Sequence, residues 1–205
     1  MCDSGCTSGI SHTDKTVRSA AAISGAEEGR TPFGAEQGLD QTVMEVTYLE
    51  LRSAPASFAS RRSTEHVTEE KLSRDEYLTL YRRVGSPLRW DQRLRMPAEE
   101  LTALLQSSLR IYVLRDSSHN ALGFCEFDGA GFPETELKNF GLVPEAQGRG
   151  LGPWLLGISL QHEWSLGPKR IWLHTDTWDH PAAIPTYERA GFRVYAVRQE
   201  PVGPL

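Results

Sequence analysis

The sequence predicts an α/β protein, a central mixed β-sheet with helices on its faces. Three observations carry that expectation. Strand-like stretches at 110–114, 122–127 and 136–143 follow one another across short turns at 117–120 and 129–133, which calls for antiparallel neighbours. A strongly apolar helical stretch at 150–165 then separates strand 136–143 from strand 170–175, and such a strand–helix–strand unit closes as a parallel crossover. The remaining periodic segments are helical and sit between strands. The order reads β-α-α-β-β-β-α-β-α-β, without internal repeats, for a sheet of about six to seven strands flanked by about four helices.

Taken in order, Val43, Glu45, Thr47 and Leu49 alternate with Met44, Val46 and Tyr48 in a first strand rich in β-formers. Tyr77, Leu80, Tyr81 and Val84 recur at helical spacing and stop at Gly85. A loop holding Pro87 and Trp90 leads to Pro97, which suits the first turn of a second helix with Leu101, Leu104 and Leu105 on one side. After the three consecutive strands and the apolar helix come strand 170–175, a helix over about 181–190 and a last strand at 192–197.

Residues 1–40 differ from everything after them. Ser, Gly, Thr and Ala dominate, and large apolar side chains are scarce, so this stretch cannot offset its ordering entropy. It is expected to be a disordered extension, with at most a short Ala-rich helical turn near 20–23, ahead of one domain over 41–205. Asp3, Asp14, Glu27 and Glu28 are wrong for a transit peptide.

Composition narrows the function. A net charge of −5 and a pI near 5.7, with no run of Lys or Arg, argue against nucleic acid as main partner. No segment is apolar enough for a bilayer, so no membrane partner is expected. Cys2, Cys6 and Cys125 make neither a disulfide framework nor a zinc site, and the expected compartment is the reducing cytoplasm.

The stretch Gln147-Gly148-Arg149-Gly150-Leu151-Gly152 stands between a strand and a helix. Glycines let successive N–H groups converge, and the helix N-terminus adds partial positive charge. Pro153 needs no N–H donor in a first turn, and Arg149 adds a full charge. The turn therefore reads as a pyrophosphate cradle. No Lys follows as a P-loop requires, and G-x-G-x-G is not the G-x-G-x-x-G of a dinucleotide fold.

The spacing Q-x-x-G-x-G resembles motif A of the GCN5-related N-acetyltransferase (GNAT) superfamily. Phe140-Gly141-Leu142-Val143-Pro144-Glu145 before it and Tyr187-Glu188-Arg189-Ala190-Gly191-Phe192 after it resemble flanking family segments. Trp172-Leu173-His174-Thr175 with Asp179-His180-Pro181-Ala182-Ala183 resembles a bacterial subgroup. The resemblance covers about 43–197 and implies a GNAT fold splayed at the cofactor site. It also implies acetyl-CoA as cosubstrate, held by backbone amides of 147–152, with Gly141, Leu142 and Val143 along the pantetheine arm. The Leu142 N–H would be the oxyanion donor, and Tyr187 would protonate the departing thiolate. Glu136, eleven residues before Gln147, would match the general-base glutamate of the histone acetyltransferase branch. His180 departs from the family, which often carries an Asn near CoA there.

Direct acetyl transfer needs a neutral amine, a stabilised oxyanion and a protonated leaving group. Strand alternation predicts Glu136, Lys138, Phe140 and Leu142 on one face. Glu136 reads either as a base or as a solvated strand-end charge that Lys138 weakens. His174, Asp176 and His180 lack a fourth ligand for a metal, and no metal is expected. His174 and Asp176 are candidates for substrate contact or proton relay, and Trp90, Arg93 and Arg95 for an acceptor loop whose arginines grip a carboxylate or phosphate. The expected function is N-acetylation of a small-molecule or protein amine, with a homodimer admissible. The alternative is a non-catalytic acyl-CoA sensor of the same fold.

Overall fold

The computed structural model describes residues 43–55 and 64–201. The extension expected over residues 1–40, with Cys2 and Cys6, lies outside them. Among the described residues seven strands form one sheet, in the order β2-β3-β4-β5-β6-β1-β7. They are β1 (Val43–Leu51), β2 (His66–Glu70), β3 (Leu109–Arg115), β4 (Ala121–Asp128), β5 (Glu134–Leu142), β6 (Arg170–Asp176) and β7 (Arg193–Pro201). The five α-helices among the described residues are α1 (Arg74–Gly85), α2 (Gln92–Arg95), α3 (Ala98–Leu105), α4 (Leu151–Ser165) and α5 (Ala183–Arg189).

Every strand and helix predicted over the described residues is present, and two are added. Strand β2 has five residues, pairs antiparallel with β3 and buries none of them fully. Its place comes from the free edge of β3 rather than from a hydrophobic pattern of its own. The single turn α2 lies in the loop before Pro97, and Pro97 itself is the N-cap of α3, one place before its first turn.

Local chemistry explains the helix ends. Ser73 and Glu76 close a capping box at the start of α1, each side chain answering the other's backbone N–H. Gly150, at φ 72°, is the N-cap of α4, and no side chain caps that helix. Helix α4 packs on one face of the sheet through Leu151, Leu155, Leu156 and Leu160, all fully buried. Burying each such side chain contributes about 2 kcal/mol. Helix α1 covers the other face, where Tyr77 and Tyr81 pack against Phe124.

Two irregularities shape the centre of the sheet. Strands β5 and β6 are parallel, but they pair only from Glu134↔Arg170 to Glu136↔Trp172. Beyond that point β5 follows β4 to Leu142, while β6 follows β1 to Asp176. The sheet therefore opens into a wedge. The second irregularity is in the β4–β5 register, where Glu126 faces Asn139 but Phe127 faces Leu137, leaving Lys138 as an extra residue. This bulge corrects the expected single face. Glu136 shares a face with Asn139, whereas Phe140 and Leu142 fall on the opposite, α4-covered face.

Candidate active site

The cradle is built by backbone. Gly148 (φ 71°) and Gly150 (φ 72°) both adopt the left-handed conformation that L side chains resist. Space beside Gly148 is open, since a Cβ there would meet nothing within 4 Å. The turn delivers the chain to a helix start whose first N–H groups no side chain satisfies. Such a point accepts an anion, and these residues fit the pyrophosphate of coenzyme A.

From the cradle a cleft of about 690 Å³ runs through the wedge between β5 and β6 to the loop around Trp90. Among the residues singled out by sequence, Leu142, Gln147, Gly148, Gly150, Leu151, Gly152, Tyr187, Trp90, His174 and Asp176 line it. Val143, Arg149, Arg93 and Glu136 do not, and each has a physical reason.

Val143 is fully buried and donates its N–H to Leu122 O at 2.9 Å. Strand alternation then turns the Leu142 N–H the other way, into the wedge. Arg149 reaches out to Glu65 at 2.7 Å, so its charge is spent beside the cradle and not in it. Arg93 is drawn inward and pairs with Glu126, whose side chain is fully buried and also accepts from the Tyr77 hydroxyl. That removes Arg93 from any grip on a substrate. Burial works against its charge, but Glu126 and Tyr77 more than compensate and raise its pKa.

Glu136 lies beneath the cleft lining. Its Oε2 accepts from Lys138 Nζ at 2.7 Å, and its buried Oε1 has no hydrogen-bond partner. Burial pushes its pKa up, but His174 and Lys138 outweigh burial and hold the carboxyl below the usual range. His174 is open to the cleft and stands with Nδ1 3.4 Å from Glu136 Oε1.

Tyr187 comes from α5, a helix tied down where Phe192 N–H donates to Tyr187 O at 3.1 Å. Its ring packs between Phe140 and Phe192. Burial, reinforced by the charge of Asp179, raises its pKa far above the ordinary phenol value. The hydroxyl thus keeps its proton at neutral pH.

The turn after β6 is held by its own side chains. Asp176 accepts from Trp178 N–H at 2.7 Å, Thr175 donates to Asp179 at 2.6 Å, and His180 Nδ1 accepts from Ala182 N–H at 3.1 Å. His180 therefore braces the turn. Burial, with the charge of Asp179 adding to it, raises the Asp176 pKa. Among the described residues no group of three or more His, Cys, Asp or Glu side chains could hold a metal ion.

Sequence reasoning passed over several lining residues. Asp179 also accepts from Trp90 Nε1 at 3.4 Å, joining the Trp90 loop to the β6 turn. Arg89 lies over the Trp178 ring at 5.5 Å, and Asn139 lines the cleft beside them. Glu126 had a legible signal, a lone charge within the apolar run 122–127.

Comparison with known proteins agrees with this geometry. The model of the Acetyltransferase (GNAT) family matches residues 71–192, and the chain belongs to that family. A mycothiol acetyltransferase of Mycobacteroides abscessus is 46% identical over 59 residues, 29% of this chain and 20% of that protein. One from Geodermatophilus obscurus is 40% identical over 62 residues, 30% of this chain and again 20% of the relative. The chain thus matches a fifth of the length of these curated relatives.

Among solved structures, a GCN5-related N-acetyltransferase from Sphaerobacter thermophilus superposes with TM-score 0.54 at 17% identity, covering 79% of this chain and 53% of that one. A GNAT-family structure from Novosphingobium aromaticivorans gives 0.56 at 18% identity, covering 77% and 63%. Likeness at these identities concerns the fold. No helix among the described residues is long and apolar enough to cross a membrane.

Proposed function

We propose that this chain transfers an acetyl group from acetyl-CoA to a primary amine, directly and without a covalent enzyme intermediate. One observation carries the reading: a single cleft joins the glycine cradle to Tyr187 and His174 through the wedge in the sheet. When bound, acetyl-CoA supplies an activated acyl thioester. The chain supplies the rest. Gly148 and Gly150 with the start of α4 hold phosphate, and the Leu142 N–H offers a donor to the thioester oxygen. The buried phenol of Tyr187 donates its proton to the departing sulfur. Glu136 and His174 supply negative charge and a proton acceptor on the amine side.

The acceptor is a small-molecule or protein amine. The relatives named mycothiol acetyltransferases favour a small molecule, over the short stretch they share with this chain. Acetyl-CoA is expected to raise the melting temperature, and NAD is not. Equal protection by both would refute the CoA reading. Thiol release across a panel of small amines, peptides and proteins identifies the acceptor, and silence across the panel would leave an acyl-CoA sensor as the better account.

A further inference from the structure

The pairing of Glu136 and His174 divides the base function between two residues. Glu136 has the charge of a base but not the access. Its side chain is 12% exposed, Lys138 occupies Oε2, and Oε1 is buried without a partner. An unmet buried acceptor is costly, and a donor 3.4 Å away needs only a small ring tilt to meet it. That donor is Nδ1 of His174. A neutral imidazole donating from Nδ1 carries its lone pair on Nε2, at the opposite side of the ring. His174 lines the cleft and its side chain is 45% exposed, so Nε2 faces away from Glu136 where an amine can approach.

We propose that His174 takes the amine proton at Nε2 and that Glu136 acts through it, as a positioning residue, without touching the acceptor. This rests on the transfer reading given above. As the nitrogen bonds to the acyl carbon, its N–H proton moves to Nε2 and the imidazole becomes imidazolium. The carbon–sulfur bond breaks, and the thiolate takes the phenolic proton of Tyr187. Water then carries the extra proton of His174 back to the tyrosinate, so protons and charge balance over a turnover.

The surroundings suit this division. A carboxylate held below its ordinary range is a weak base but a persistent anion. From β5, Glu136 and Lys138 face His174. From β1, Tyr48 pairs with it, ring centroids 5.9 Å apart. The Tyr48 hydroxyl is committed to Glu200 of β7, and Arg198 of β7 lies over its ring at 5.0 Å. On β6 itself Asp176 interacts electrostatically with His174, and Trp172 lies 6.5 Å away. Of these carboxylates, Glu136 places a buried oxygen without a hydrogen-bond partner 3.4 Å from His174 Nδ1.

Long-range proton–nitrogen NMR of the histidine-labelled full chain tests the pairing without any acceptor. The His174 resonances are assigned by their loss in His174→Gln. The neutral ring is expected as the Nδ1–H tautomer, and Glu136→Ala, which removes the acceptor, is expected to lower the Nδ1–H share about two-fold or more. An Nε2–H tautomer in the unaltered protein, which no folding defect can mimic, would overturn the assignment. An unchanged tautomer share in Glu136→Ala would do so equally. Heat protection by acetyl-CoA, measured on the same sample, separates the two levels. Protection with the wrong tautomer refutes the His174 role alone. The right tautomer without protection refutes the transfer reading, and the base role with it.

Discussion

At Tyr187, the causes that raise the pKa are burial first, then Asp179 and Cys125. Tyr187→Phe keeps the ring contacts with Phe140 and Phe192 while deleting the proton. It is expected to lower turnover about 100-fold with the acceptor found by thiol release, and to leave acetyl-CoA affinity nearly unchanged. Full turnover at the optimal pH would remove the acid role. Asp176 offers a test with the opposite sign of benefit. Its folded pKa is raised, so ionisation costs the folded state stability at neutral pH, and that cost vanishes as the pH falls and both states protonate. Asp176→Asn keeps an acceptor for Trp178 N–H, and thermal melts should find it more stable at pH 7 with the difference closing in acid. At this scale the cradle was legible, because glycine spacing encodes backbone conformation locally. Glu136 was legible as a residue but not in its surroundings, since its neighbours Lys138 and His174 come together through the bulge and the β6 register.

The elements place what the residues supply. Wedge and bulge both belong to β5, and both are products of pairing, which periodicity along one strand does not encode. Alternation predicted Glu136 on the face of Phe140, and the extra Lys138 moved it to the other face. The loop between α1 and α3 holds a second case. Arg93 finds a buried partner in Glu126, 33 residues later, a match that its local sequence does not announce. Breaking that pair leaves Glu126 buried and unneutralised, so Arg93→Ala is expected to cost about 3–5 kcal/mol in denaturant unfolding. A loss under about 1 kcal/mol would mean the pair is solvated. The same loop is pinned at Gly85, where a Cβ would sit 2.5 Å from the Cβ of Trp90. Gly85→Ala must therefore displace Trp90 from the cleft wall, seen as a red-shifted tryptophan emission. Acetyl-CoA binding at the cradle should persist.

Over the whole molecule, ligand and pH act through the same folding equilibrium. Acetyl-CoA at a hundred times its dissociation constant should stabilise the fold by about 2.7 kcal/mol. Acid should do the reverse. Arg52 and Arg170 hold the Glu50 pKa low, Arg115 does so for Glu70, and at Glu136 His174 and Lys138 outweigh burial. The stability these carboxylates contribute is complete above the ordinary carboxylate pKa, about 4, and is lost as pH falls through their depressed folded values. Melting temperature should drop steeply there, and less steeply in Glu136→Gln; parallel curves would contradict the shift. The chain by itself determined the order of its main elements, the crossover, the glycine cradle and the family, because all of these rest on spacing between near neighbours. Tertiary structure decided the β2 edge, the inward turn of Arg93, the outward turn of Arg149 and the meeting of Glu136 with His174. Those depend on which side chains packing brings together across the sheet, and local sequence carries no record of a partner that only folding supplies.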